Sequence, residues 1–291
     1  MNFLKYVYIY VTISLLVLVP GVFFLVTKGL KPSIDFVGGS LLEIVVQGEP
    51  ADQNKIKETA EALYALQSVQ KSGDNQFILK GGAINNDMKM LVVEALNHDL
   101  GSEITVNRFE TIGPTLSKEL LRKTYTAIAI VAVMIALYVA KQFKELKYGV
   151  VAVLAMFHDT LILIGSFSLF GYFFGVEVDV LFVTAVLTTL SFSVHDTIVV
   201  FDRIRELRHR NPRAPYDQVL NAAITETLNR SINNSVTIII MLTALSLLGG
   251  DTIRWFSIAL LIGSITGTYS SPFVAVPLLL AWDKFIERKR G

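Results

Sequence analysis

The chain has 291 residues, of which 52% are hydrophobic and only 18% charged. That is more apolar surface than an ordinary soluble domain can hide, so part of its solvent is lipid. The net charge of +1 gives no whole-chain pull toward nucleic acid, and the absence of cysteine removes disulfides, thiolate metal sites and cysteine nucleophiles.

The first element is the apolar run Tyr6 to Val26. About 20 residues fit a full bilayer crossing, and no small-x-small cleavage site follows, so residues 1–27 are expected as an uncleaved first transmembrane helix. Residues 28–121 read as a small folded domain. Leu41 to Val46 suits a strand, and Asp52 caps a helical pattern carrying Ile56, Ala60, Leu63 and Leu66. Ser68 to Lys71 and Gln76 to Lys80 are two short strands, with the turn formers Gly73, Asp74 and Asn75 between them. A second helix over Asn86 to Asp99 would bury Met90, Val93 and Leu96, and Ile104 to Phe109 alternates as a last strand. The order βαββαβ is the split βαβ, ferredoxin-like arrangement, with two helices on one face of a four-stranded antiparallel sheet. It carries no active-site constellation, and a scaffold or contact module is the expected role.

Residues 122–284 are expected as a five-helix transmembrane bundle, followed by a basic tail over 285–291. Five apolar stretches carry it: Thr124 to Ala140, Tyr148 to Phe174, Val178 to Phe201, Ser231 to Leu248 and Trp255 to Trp282. The chain is therefore a polytopic α-helical membrane protein with six spans, since only helices satisfy their backbone groups over such runs in lipid. Lys141, Lys144 and Lys147 follow the second span, five arginines from Arg203 to Arg213 the fourth, and Lys284, Arg288, Lys289 and Arg290 the sixth, whereas the opposite short loops are nearly bare. By the positive-inside rule both termini face the cytoplasm and the small domain faces outward.

Ionisable residues within spans are expensive and point to function. Asp196 lies in the fourth span, about 8 Å before its cytoplasmic end, with Ser193, Thr189 and Ala185 one to three turns earlier on the same face. Arg230 opens the fifth span, followed by Asn233, Asn234 and Thr237. The two lie at similar depth, so a carboxylate and a guanidinium could pair there and part when the carboxylate takes a proton. Arg230 also reads as an arginine snorkelling at a helix end, and Asp196 as a solvated cap. His195 points about 100° away from Asp196 and is expected to pack or meet headgroups. Asp159, beside His158 in the third span, either relays protons or holds helices together. Neighbouring His and Asp diverge on a helix, and no metal-ligand spacing completes a set. Gly263, Gly267 and Ser271 form a small-residue series for close packing, within this chain or against a partner. A hydrolase built on Ser193 with His195 or Asp196 lacks nucleophile-base geometry.

One span, a folded outer loop and five more spans resemble the half-unit of the resistance-nodulation-division (RND) superfamily. The motifs narrow the resemblance to the SecD/SecF protein-export family. Ile34-Asp35-Phe36-Val37-Gly38-Gly39 is similar to its IDFTGG signature, Ile112-Gly113-Pro114 to its VGP, and Phe157-His158-Asp159 to its IHD. The run from Ser191 to Glu206 is similar to its GYSxNDTVVVFDRIRE, and Gly249-Gly250 and Gly267 to Ser271 complete the pattern. Carried over by position, the family's essential membrane aspartate falls on Asp196 and its arginine on Arg230. His195 stands where Asn is usual, Ser191 where Gly is usual, and Ser231 to Val236 replaces a more threonine-rich run. The resemblance implies a subunit, not an enzyme and without cofactor, that uses protons as coupling ion in the bacterial inner membrane. It would act with a separate SecD chain and the SecYEG channel on preprotein substrates, with YidC a further candidate partner and no nucleic acid. The alternative is a scaffold that stabilises SecD or the channel and moves no protons.

Overall fold

A computed structural model describes residues 3–48, 51–73, 75–143 and 145–290, with side chains not described at 251, 252, 287, 289 and 290. Asp74 of the expected turn and Lys144 of the expected basic loop lie outside the described residues, as do the side chains of Lys289 and Arg290. Two compact units form: Pro32–Tyr125, and Met1–Lys31 together with Thr126–Gly291.

The α+β unit begins with a one-turn helix, α2 (Ile34–Val37), that the sequence reading did not anticipate; its N-cap is Ser33, whose hydroxyl accepts from the Asp35 amide. Gly38 and Gly39 follow with φ of 80° and 141°, a region that favours glycine, and a Cβ on Gly39 would stand 2.4 Å from the carbonyl oxygen of Gly81. Strands β1 (Gly39–Val46), β2 (Leu66–Lys71), β3 (Gln76–Gly81) and β4 (Ile104–Ile112) form an antiparallel sheet in the order β2-β3-β1-β4. Helices α3 (Gln53–Glu61) and α4 (Asn86–Leu100) complete the expected βαββαβ order. Leu42, Ile44, Phe77 and Leu79 from the sheet close a core with Ile56, Ala60, Val92 and Leu96.

Two details of the sequence reading are corrected. The helix capped by Asp52 ends at Glu61, so Leu63 is exposed and Leu66 opens β2 instead of extending the helical stripe. In α4 the buried residues are Val92 and Leu96, with Val93 partly covered; Met90 is 59% exposed because the sheet-facing stripe runs one position away from it.

Among the described residues six helices are long and apolar enough to cross a membrane. They are α1 (Val7–Lys28), α5 (Pro114–Phe143), α6 (Leu146–Phe174), α7 (Val180–Arg210), α8 (Tyr216–Leu248), and a last one made of α9 (Asp251–Ser270), a π-helical turn (Ser271–Ala275) and α10 (Val276–Arg290). The π turn carries Pro272, which has no N–H to give the helical ladder, and such wide turns let a helix absorb that loss. Helices α7 and α8 run past the apolar stretches, to Arg210 and from Tyr216, so the segment between the fourth and fifth spans is a helical hairpin with a short turn. Its polar residues hide it from hydropathy.

Helix α1 crosses α6 where Gly21 meets Gly165: a Cβ on Gly165 would lie 2.8 Å from the Gly21 Cα. The main core joins Val151, Ala155 and Met156 of α6, Leu190, Phe201 and Ile204 of α7, Leu220 and Ile224 of α8, and Leu279 of α10.

Candidate functional site

The site is built on the polar stripe of α7. Thr189, Ser193, Asp196 and Thr197 are all buried, Asp196 with 9% exposure. What faces this stripe is α9. A Cβ on Gly263 would lie 2.0 Å from Thr189 Oγ1, and one on Gly267 3.2 Å from Ser193 Cα. One turn on, the hydroxyls of Thr197 and Ser271 are 3.0 Å apart. The series Gly263, Gly267, Ser271 thus packs within the chain, against Thr189, Ser193 and Thr197. Small residues let the two helices approach closely enough for hydroxyls to bond across the seam.

Helix α8 closes the third side. The Ser235 and Thr268 hydroxyls meet between α8 and α9; one donates to the other across the seam while the acceptor gives its own proton to its helix, the carbonyls of Ser231 and Ser264 each lying 2.8 Å from their hydroxyl. Between the three helices lies a cavity of about 320 Å³, walled by His195 and Asp196 from α7, Asn234 and Ser235 from α8, and Ser264 and Thr268 from α9. His195 is exposed where Asp196 is buried, as their 100° separation on the helix leads one to expect, and both line this cavity. Consecutive residues diverge at Cβ, yet an opening wider than one side chain receives both. The hydroxyls of Ser193 and Thr189 are buried without a hydrogen-bond partner among the described residues, and they continue the polar line away from Asp196 along α7. No hydrogen bond or ion pair to Asp196 is formed among the described residues.

The structure does not bring Arg230 to Asp196. Arg230 is exposed and lines a second cavity, of about 470 Å³, with Gln142 of α5, Asp202, Arg203 and Glu206 of α7, and Glu226 of α8. It makes no ion pair among the described residues. Asn234, at i+4 from Arg230, belongs to the Asp196 cavity, so the two cavities are offset by one helical turn, about 6 Å along α8.

Asp159 sits elsewhere, fully buried on α6. Its Oδ2 accepts from the Ser270 hydroxyl at 2.6 Å, and its Oδ1 lies 2.9 Å from His158 Nδ1. The reading that His158 and Asp159 diverge is corrected here too: the imidazole turns back along the helix to meet its neighbour, leaving its Nε2 buried without a partner among the described residues. Ser270 is the last residue of α9 before the π turn, so the carboxylate ties α6 to the point where the last span changes winding. Sequence reasoning missed Ser270; a hydroxyl next to a proline-bearing segment was the available signal. Among the described residues no group of three His, Cys, Asp or Glu gathers to hold a metal.

Comparison with known proteins identifies the family and the fold. Family models described as "Protein export membrane protein SecD/SecF, C-terminal" and "SecD/SecF GG Motif" match residues 92–285 and 23–49. Relatives named protein translocase subunit SecF are 38% identical in Anaerolinea thermophila and 37% in Thermobaculum terrenum, each over 97% of this chain and 94% of the relative. The crystal structure of SecDF from Thermus thermophilus, titled a translocon-associated membrane protein, superposes with a TM-score of 0.84 at 29% identity. That match covers 98% of this chain and 39% of the longer SecDF chain.

Proposed function

This chain belongs to the SecD/SecF family of protein-export membrane proteins, a multi-pass component of the protein translocase class, and we propose that it couples proton movement to the export of preproteins. In this reading it works with a separate SecD chain beside the SecYEG channel, with the termini in the cytoplasm and the α+β unit outside. Support for the partner is the likeness to SecDF, in which one chain is much longer than this one. Support for the orientation is the basic residues clustered at one set of span ends.

The observation that carries the proposal is Asp196: a carboxylate buried within a span, on the wall of a polar cavity, with no ion pair among the described residues. A bare carboxylate in such a place is costly, and a proton removes the charge. When Arg230 approaches, the guanidinium offers a charge-assisted, two-pronged partner and the proton leaves. The seam hydroxyls of Ser193 and Thr189 supply polar stations for the proton on one side of Asp196. The second cavity opens on the other. Each exchange of proton for guanidinium requires α7 and α8 to shift by about one turn's worth of side-chain reach, and that shift is what the α+β unit would convert into motion on a preprotein.

The seam itself favours the second reading, a scaffold that moves no protons, because Asp159 with Ser270 and the glycine contacts already account for a rigid bundle. The two are separated with inverted membrane vesicles containing the full translocase. Asp196→Asn should export preprotein at the ATP-driven rate and lose all further stimulation by the proton-motive force, at unchanged protein level. Undiminished stimulation in Asp196→Asn vesicles favours the scaffold.

A further inference from the structure

The second, inner cavity, at the end of the seam nearer the α7–α8 hairpin, is lined by charged residues of both helices. Among the described residues, Arg203 of α7 pairs with both Glu226 of α8 and Glu206 of α7, Arg210 pairs with Glu206, and Arg205 holds Asp202 at 2.8 Å. Helix α5 adds only the uncharged Gln142 to the wall. The cavity wall therefore holds three carboxylates, Asp202, Glu206 and Glu226, and two guanidiniums: Arg203, which is engaged, and Arg230, which makes no ion pair among the described residues.

Its position on α8 suggests what the unengaged guanidinium is for. Glu226, Arg230 and Asn234 follow one another at i, i+4, i+8, on one face, one turn apart; Glu226 and Arg230 line the inner cavity and Asn234 the Asp196 cavity. Side chains on a helix lean toward its N-terminus, which on α8 is the Glu226 end. A glutamate four residues before a basic residue is also the favourable order for a pair along a helix. That lean favours Glu226 as a partner for Arg230, and reaching Asp196 means swinging against it.

We infer that Glu226 is a second carboxylate station for Arg230, so that the guanidinium alternates between Glu226 and Asp196, with Arg203 releasing Glu226 to Glu206 when Arg230 arrives. The inference rests on the proton-coupled reading above. Glu226 is a positioning residue: it touches no proton path itself and acts by competing with Asp196 for the same cation. Arg203 in turn competes with Arg230 for Glu226.

The competition gives two substitutions with opposite signs. Glu226→Gln removes the inner station, leaves Arg230 more often at Asp196 and keeps that carboxylate ionised, so a more acidic medium is needed to protonate it. Arg203→Gln frees Glu226 to hold Arg230, and Asp196 protonates more readily. The assay is the pH dependence of proton-motive-force-stimulated export in vesicles containing the full translocase, normalised to the amount of this chain. A tenfold change in where Arg230 resides moves the midpoint by about one pH unit. Expected are a downward shift of about one unit for Glu226→Gln, an upward shift for Arg203→Gln, and the wild-type midpoint for Glu226→Asp, which keeps the charge. General destabilisation would lower the amount of protein or move both midpoints the same way. Unshifted or same-direction midpoints overturn the inference. If Asp196→Asn itself leaves stimulation intact, it is the proton-coupled reading that has failed.

Discussion

Replacing Gly263 by alanine probes the seam that forms the back wall of the Asp196 cavity. The added methyl would stand 2.0 Å from Thr189 Oγ1, 2.7 Å from its Cγ2 and 2.8 Å from its Cβ, well inside the roughly 3.5 Å at which such atoms rest. Rotating Thr189 clears the first two atoms at best and never the third, so α9 has to move away from α7. Overpacking of this kind costs about 1–3 kcal/mol, and alanine's better helix propensity returns about 1 kcal/mol. A severe clash at the upper end leaves a net loss of about 2 kcal/mol, or roughly 4–8 °C in melting temperature. Gly267→Ala, whose methyl would meet Ser193 Cα at 3.2 Å, should cost less, and Gly250→Ala, with nothing within 4 Å, almost nothing. Thr189→Ala in the Gly263→Ala background removes two of the three contacts and should recover about half the loss, a coupling of about 1 kcal/mol. The assay is thermal unfolding of the purified chain in mild detergent, alongside export, since Ser264 and Thr268 ride on the same helix. Equal melting of the Gly263, Gly267 and Gly250 variants would refute the close seam.

Four further outcomes are expected. The fragment Pro32–Tyr125 should unfold cooperatively with a mixed helix and strand signal, because its core is drawn entirely from its own strands and helices; a disordered fragment contradicts this. In that fragment burial pushes the Tyr64 phenol up to about 12, against about 10 unfolded. The folded state holds this proton longer, so stability should fall as pH rises from about 10 through about 12, and Tyr64→Phe should flatten that fall. Ser270→Ala strips a fully buried carboxylate of one donor and should cost about 1–3 kcal/mol in detergent melts; an unchanged melt would mean Asp159 does not hold α9. Reporters placed near Asn75 should read as outside and near Arg210 as cytoplasmic, and the reverse at Arg210 would overturn the orientation.

Much of the architecture was legible because lipid imposes a long, simple signal. Each apolar run of roughly 20 residues became a helix, and the alternation in 39–112 became a four-stranded sheet. The failures share a cause, which is that local periodicity says nothing about the partner surface. Leu66 continued a helical spacing yet opens β2, and Met90 fitted a stripe that the sheet does not meet. The helical extensions to Arg210 and from Tyr216 lack hydropathy, though the Glu206–Arg210 spacing was available to mark the first. In the site, Asp196 was readable from its cost in a span, whereas the span ends suggested a depth shared with Arg230 and the two residues line separate cavities. The separation of Arg230 and Asp196 into two cavities depends on side-chain direction and on a third helix, α9, that no spacing rule contains.

The central claim is that Asp196 takes up and releases a proton in exchange for Arg230. Infrared difference spectra of the chain in lipid together with a SecD chain, recorded on a pH jump, read carboxyl protonation directly. A protonated-carboxyl band that rises on acidification, disappears in Asp196→Asn and persists to higher pH in Arg230→Ala is the predicted result. Spectra of Asp196→Asn identical to wild type would contradict the account.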